Sequence, residues 1–274
     1  MLLFPNCKIN LGLGVTGKLN DGFHTVETVM FPVPLCDILE MIISPSGKFS
    51  FTTSGLQIPG DTGDNLVVKA YNLLKKDFGL KPVEIHLHKA IPMGAGLGGG
   101  SADGAFAVKL LNSLFGLKLN NDEMRNYASK LGSDCPFFIE NKPVLATGKG
   151  DVFEEIKIDL SKYHIVIVKP DTHVNTAEAY SRIKPSGKSP GLKNIVNQSV
   201  ESWKGQLKND FEKTVFNNHP EIGEIKDKLY KKGALYASMS GSGSAVYGIF
   251  KDSVDLEGVF GEWFVWRGRW EGVE

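Results

Sequence analysis

Residues 92–108 read PMGAGLGGGSADGAFAV, with five glycines in the seven positions 94–100. Glycine lets successive backbone N–H groups converge on an anion without Cβ obstruction. Ser101 stands where a hydroxyl would cap the helix that follows, whose positive dipole end would point at the same anion. The pattern suits phosphate. The candidate cradle comprises Pro92, Met93, Gly94, Ala95, Gly96, Leu97, Gly98, Gly99, Gly100, Ser101 and Ala102.

The flanking sequence says what must hold this loop. Val83, Ile85 and Leu87 alternate with Glu84, His86 and His88, which predicts a half-buried strand over 83–88. Ala105, Val108, Leu111 and Leu114 recur at helical spacing up to Gly116, a helix stop. Strand, glycine loop and helix in that order fit several nucleotide folds, and spacing separates them. A P-loop needs a Lys directly after the glycines, and none occurs before Lys109. The letters Gly94-Ala-Gly96-Leu-Gly98-Gly99 match the dinucleotide fingerprint. That motif calls for a second parallel strand ending in an acid about twenty residues on, whereas a helix is expected from Asn120. A dinucleotide-dependent oxidoreductase is thereby weakened.

Other residues invite two readings each. Ile9, Leu11 and Leu13 share one face of a strand, so Lys8 and Asn10 share the other, either as a solvated edge or as a cation–amide patch. Asp134, in Gly132-Ser-Asp-Cys-Pro136, is placed to cap a new helix or to serve as a carboxylate base. Asp64 is placed to cap a helix over 64–78. Phe23 and His24 follow the turn signal Asn20-Asp-Gly22 and open a strand. Ser240-Gly241-Ser242-Gly243 is either a tight hairpin or a second anion-binding turn.

Together, the glycine run, Lys8-Ile-Asn-Leu, Asp21-Gly-Phe-His24-Thr, Gly132-Ser-Asp134-Cys-Pro-Phe and Gly241-Ser-Gly243 resemble the GHMP kinase superfamily of galactose, homoserine, mevalonate and phosphomevalonate kinases. The extended form of the loop is similar to that of members acting on a cytidine-diphosphate polyol. The resemblance implies an α+β, two-lobed GHMP kinase fold, with an N-terminal lobe like ribosomal protein S5 and a ferredoxin-like C-terminal lobe. It divides the chain into an ATP-binding domain, 1–155, and a C-terminal domain, 156–274. It implies ATP as phosphoryl donor, with magnesium, and Lys8 and Asp134 as the catalytic pair. It places Asn65 and the loop 92–102 on ATP. It places Asn10, Phe23, His24, Thr176, Tyr180, Ser240, Gly241 and Ser242 on the second substrate, Phe23 and Tyr180 sandwiching the cytosine. Where the superfamily often has two serines after the triple glycine, this chain has Ser101-Ala102, which leaves the metal ligands unassigned. Another small-alcohol kinase of the superfamily, or a non-catalytic nucleotide-binding module, are the remaining alternatives.

The whole chain sets bounds. Its 274 residues are 42% hydrophobic, enough for one large or two modest domains. Thirty-one basic and 31 acidic residues cancel, so no global field recruits nucleic acid or an anionic membrane. Cys7, Cys36 and Cys135 form no C-x-x-C, and reduced thiols in a cytoplasmic protein are expected. The opening residues lack a signal-peptide pattern, and no apolar stretch reaches the length of a membrane span. Strands are expected near 4–15, 23–31, 37–43, 48–53 and 163–168, with a pair around 240–244. Further helices are expected near 120–131, 191–217 and 221–232. Ile183–Gly191, rich in Pro, Gly and Ser, is the candidate linker.

Overall fold

The computed structural model describes residues 1–180 and 183–270. In chain order its strands are β1 (Leu2–Leu3), β2 (Asn6–Lys18), β3 (His24–Cys36), β4 (Ile38–Ile43), β5 (Ser50–Gly55), β6 (Val83–Lys89), β7 (Val144–Thr147), β8 (Val152–Glu155), β9 (His164–Lys169), β10 (Tyr236–Met239), β11 (Val246–Phe250) and β12 (Phe264–Arg269). Its α-helices are α1 (Leu66–Phe78), α2 (Gly99–Phe115), α3 (Asn121–Ser129), α4 (Phe137–Glu140), α5 (Thr176–Tyr180), α6 (Leu192–Val196), α7 (Phe211–Asn218) and α8 (Pro220–Lys231). Two compact units form. The first holds Met1–Cys7, Leu35–Met93 and Gly98–Lys142; the second holds Lys8–Pro34, Gly94–Leu97 and the described residues from Pro143 onward. They follow packing, whereas the division expected at 155/156 follows chain order.

In the first unit the sheet order is β1-β4-β6-β5. β5 and β6 run parallel, and the stretch between them contains α1, as a parallel pair requires. β6 shows the expected alternation: Val83, Ile85, Leu87 and Lys89 are buried, and Glu84, His86 and His88 between them are only partly so. The inward row therefore ends on a charge, Lys89. α1 presents Val67, Val68, Ala70, Tyr71 and Leu74 to the interior and stops at Gly79, whose φ of +63° suits glycine. α2 is apolar along most of its length, with Ala102, Ala105, Phe106, Ala107, Val108, Leu110 and Leu111 buried.

The second unit carries two sheets, ordered β2-β3-β7-β8 and β10-β11-β9-β12. Ile165–Val168 of β9 are buried throughout, as befits a strand hydrogen-bonded to β11 on one side and β12 on the other. One apolar core joins Leu13 and Val15 to Val166, Val168, Met239 and Val246, and to Phe211, Ile222, Ile225 and Leu229 of α7 and α8. Large apolar side chains contribute roughly 1.5–3 kcal/mol each when fully buried.

Several expectations need correction. The helix expected over 191–217 is broken into α6 and α7, and Gly205 between them has a φ of +84°. Ile183–Gly191 is no linker between the units. It lies within the second, where Ser186 N–H donates to the Val15 carbonyl at 3.0 Å. The strands β7, β8 and β12 were not anticipated. Among the described residues no helix is long and apolar enough to cross a membrane.

Candidate active site

The glycine run adopts the conformations that only glycine accepts cheaply: Gly94, Gly96 and Gly98 have φ of +61°, +75° and +71°. At Gly96 a Cβ would also lie 2.0 Å from the Ser240 carbonyl oxygen. Gly100 differs, since a Cβ there meets nothing within 4 Å. α2 begins at Gly99 with Gly98 as its N-cap residue and no side-chain cap. Ser101 therefore lies inside the first turn and does not cap, because Gly99 and Gly100 are already helical. Ala102, where the superfamily often has a second serine, is fully buried.

In the first unit a cavity of about 260 Å³ is lined by Phe51, Ile58, Asn65, Met93, Gly100 and Asp103, among others. Asn65, not Asp64, caps α1: its side-chain oxygen accepts from Val67 N–H at 2.9 Å. Asp64 instead pairs with Lys69 at 2.9 Å on the surface. Lys89 also lines the cavity and is 1% exposed. A buried ammonium needs compensation, and two buried carboxylates supply it, Asp37 in very close contact and Asp103 at 2.7 Å. Burial opposes the Lys89 charge, but Asp103 and Asp37 outweigh it and hold its pKa above the ordinary range. Asp103 pays the balance of two acids against one base: burial, with the Asp37 charge adding to it, raises its pKa from 3.8 to about 7. Among the described residues its Oδ1 has no hydrogen-bond partner. Asp37 Oδ1 accepts from the N–H groups of Ala90 (2.6 Å) and Ile91 (2.8 Å), fixing the chain as it enters the glycine run.

In the second unit Lys8 and Asn10 form the cation–amide patch. Far from a solvated edge, they are 4% and 2% exposed. Lys8 Nζ donates to Asn10 Oδ1 at 2.6 Å, and Asn10 Nδ2 donates to Thr28 Oγ1 at 2.9 Å. The backbone reinforces the patch, as Lys8 N–H donates to the Leu97 carbonyl at 2.9 Å and Tyr247 O–H donates to that of Asn10 at 2.8 Å. Ser240 joins both glycine clusters to it. Its Oγ donates to the Gly96 carbonyl at 2.8 Å and accepts from Asn10 N–H at 3.2 Å. Ser242 Oγ lies 3.2 Å from Thr176 Oγ1.

The aromatic pair is arranged differently from a simple sandwich. Phe23 is 61% exposed, with the Lys149 ammonium 4.4 Å from its ring centroid, and Lys149 is paired to Asp21 at 2.7 Å. Tyr180 stacks on His24, centroids 4.8 Å apart and planes at 23°, and its edge contact with Phe211 closes at 4.7 Å.

Asp134 lies in the turn before α4, partly buried. The N-cap residue of α4 is Pro136, with no side-chain cap. The neighbouring Cys135 thiol is pushed up to about 12, chiefly by burial, and Cys36 to about 11 for the same reason. Neither suits nucleophilic work near neutral pH.

The chain matches the model of the GHMP kinases N terminal domain over residues 65–142 and that of GHMP kinases C terminal over 192–264. It is 54% identical over 253 residues to the 4-diphosphocytidyl-2-C-methyl-D-erythritol kinase of Bacteroides thetaiotaomicron, covering 92% of each chain. It is 48% identical over 271 residues to that of Parabacteroides distasonis, covering 98% of this chain and 99% of the relative. The chain belongs to the 4-diphosphocytidyl-2-C-methyl-D-erythritol kinase family. A crystal structure of 4-(cytidine 5'-diphospho)-2C-methyl-D-erythritol kinase superposes with a TM-score of 0.77 at 29% identity, over 91% of this chain and 90% of that one. A mevalonate kinase structure at 13% identity and a TM-score of 0.73 shares the fold. Membership in this kinase family makes the protein an ATP-dependent kinase with the α+β GHMP architecture. No motif in the sequence pointed to Asp37, Lys89, Asp103 or Lys149.

Proposed function

We propose that the chain transfers the γ-phosphoryl group of ATP to the 2-hydroxyl of 4-diphosphocytidyl-2-C-methyl-D-erythritol, a step of non-mevalonate isoprenoid precursor synthesis. The observation that carries this reading is identity of 48–54% to so-named kinases over 92–98% of the chain. Asp134 takes the hydroxyl proton as the new oxygen–phosphorus bond forms, the bond from the γ-phosphorus to the bridging oxygen breaks, and ADP leaves. Lys8, steadied by Asn10, meets the negative charge that develops on the attacking oxygen. The loop 92–102 and Asn65 take ATP. Phe23, His24, Thr176 and Tyr180 take the cytidine, and Ser240, Gly241 and Ser242 the substrate phosphates. This assigns nucleotide binding to 1–155 and makes 156–274 the second domain.

Magnesium fits as an ion carried mainly on the phosphates. Among the described residues no three His, Cys, Asp or Glu side chains gather to hold a metal, and magnesium ordinarily keeps several waters and needs only one or two carboxylates. When bound, it would neutralise phosphate charge. Balanced overall charge and three cysteines in no C-x-x-C pattern support a cytoplasmic enzyme of small-molecule substrates, with neither nucleic acid nor membrane as partner.

The test is a phosphoryl-transfer assay across the cytidine-diphosphate polyol, mevalonate and homoserine. Transfer to the first alone is expected, and transfer confined to either of the others would overturn the substrate assignment. Asp134→Asn should reduce turnover roughly a hundredfold or more, the scale of losing a general base. Near-normal turnover would remove Asp134 from the mechanism.

A further inference from the structure

The segment Asn209-Asp210-Phe211-Glu212, at the entry to α7, spends its polar side chains on backbone groups far away in sequence. Asn209 is 4% exposed and its amide is fully committed. Nδ2 donates to the carbonyls of Met239 and Gly241, both at 2.8 Å, and Oδ1 accepts from Phe211 N–H at 3.0 Å. Two carbonyl partners on one side and an N–H on the other fix which end of the amide is nitrogen. Asp210 Oδ2 accepts from Val15 N–H at 2.8 Å, and Glu212 Oε1 accepts from Met239 N–H and Ser238 Oγ, each at 2.9 Å. β2 and the turn after β10 are thus tied to one short segment.

The two carbonyls that Asn209 grips flank Ser240. Ser240 is the residue whose hydroxyl bonds Gly96 and the backbone of Asn10, and Asn10 in turn receives Lys8. We propose that Asn209 is a positioning residue for phosphoryl transfer, acting through Ser240 on Gly96 and the Lys8–Asn10 pair without touching substrate. This rests on the kinase reading above. Asparagine is demanded by its chemistry, for an aspartate of the same shape offers no donor and sets a carboxylate against two carbonyl oxygens.

Steady-state kinetics of Asn209→Asp, Asn209→Ser, Ser240→Ala and the double variant Asn209→Ser/Ser240→Ala test it, alongside thermal melting. Displacement of a reacting group by about an ångström costs on the order of a hundredfold in rate. Asn209→Asp should therefore lose about that in kcat, with the KM for ATP changed less than about threefold. Asn209→Ser, which keeps one donor, should fall between it and the wild type, and it serves where the Asp variant does not fold. The double variant should be no slower than the slower single variant, since both act through one residue. Multiplied losses in the double variant, or a lowered melting temperature with unchanged kcat, overturn the inference. Absence of transfer by the wild-type protein overturns the kinase reading along with it.

Discussion

The two glycine clusters are held in opposite ways. Residues 94–100 owe much of their shape to alternate glycines in the left-handed region, with Ser240 and Lys8 bonding the carbonyls of Gly96 and Leu97 and the entering chain clamped by Asp37. Residues 240–243 contain glycines with positive φ too, at 241 and 243, but side chains from 209 and 212 hold the peptides around them. The first turn is specified chiefly by the residues it contains and the second chiefly by the side chains that reach it. The first kind is visible in a sequence and the second is not.

The contrast can be broken first at Gly96. Valine there adds a Cβ 2.0 Å from the Ser240 carbonyl at a φ of +75°, and backbone on both sides cannot yield. Turnover should fall at least about a thousandfold, the sum of a strained loop and a displaced Ser240; a variant with more than a tenth of wild-type turnover would show the loop to be adaptable. The second cluster should fail through its scaffold. Glu212→Ala leaves the buried Met239 N–H without its acceptor and Lys226 without its partner at 2.6 Å. A stability loss of about 1–3 kcal/mol is expected in denaturant titration. An unchanged midpoint would remove Glu212 from the scaffold.

The electrostatic support of the first unit has a pH signature. Folding raises the Asp103 pKa from 3.8 to about 7, so the folded chain binds that proton more tightly than the unfolded chain does. The associated stability is fully present below about pH 4 and is lost as pH rises through about 7. The wild-type melting temperature should therefore decline relative to Asp103→Asn over that window. Parallel pH profiles would contradict it. The smallest effect is expected at Gly100, where a Cβ enters open space beside the cavity. Gly100→Ala should keep the wild-type melting temperature and raise the KM for ATP severalfold; a lowered melting temperature with unchanged KM would make the position structural.

Much of this was legible in the sequence where the cause is local. Alternation along 8–13 put Lys8 and Asn10 on one face, and their mutual hydrogen bond follows from that. Alternation in 83–87 extends by period two to Lys89, so its burial was readable, though the identity of its partners was not. Asp37 and Asp103 lie 52 and 14 residues from it in sequence. Asn209 left no signal, because a side chain committed to carbonyls 30 and 32 residues away makes no local pattern. The capping roles expected for Ser101 and Asp64 failed for a shared reason. A cap depends on which residue first turns helical, and composition blurs that by a residue or two.

Asp37 also bears on when order is acquired. Because a fully buried carboxylate occupies the N–H groups of Ala90 and Ile91, this approach to the glycine loop is ordered by folding itself. The entropy of fixing that stretch is met on folding, so a ligand that binds at the loop does not bear it again.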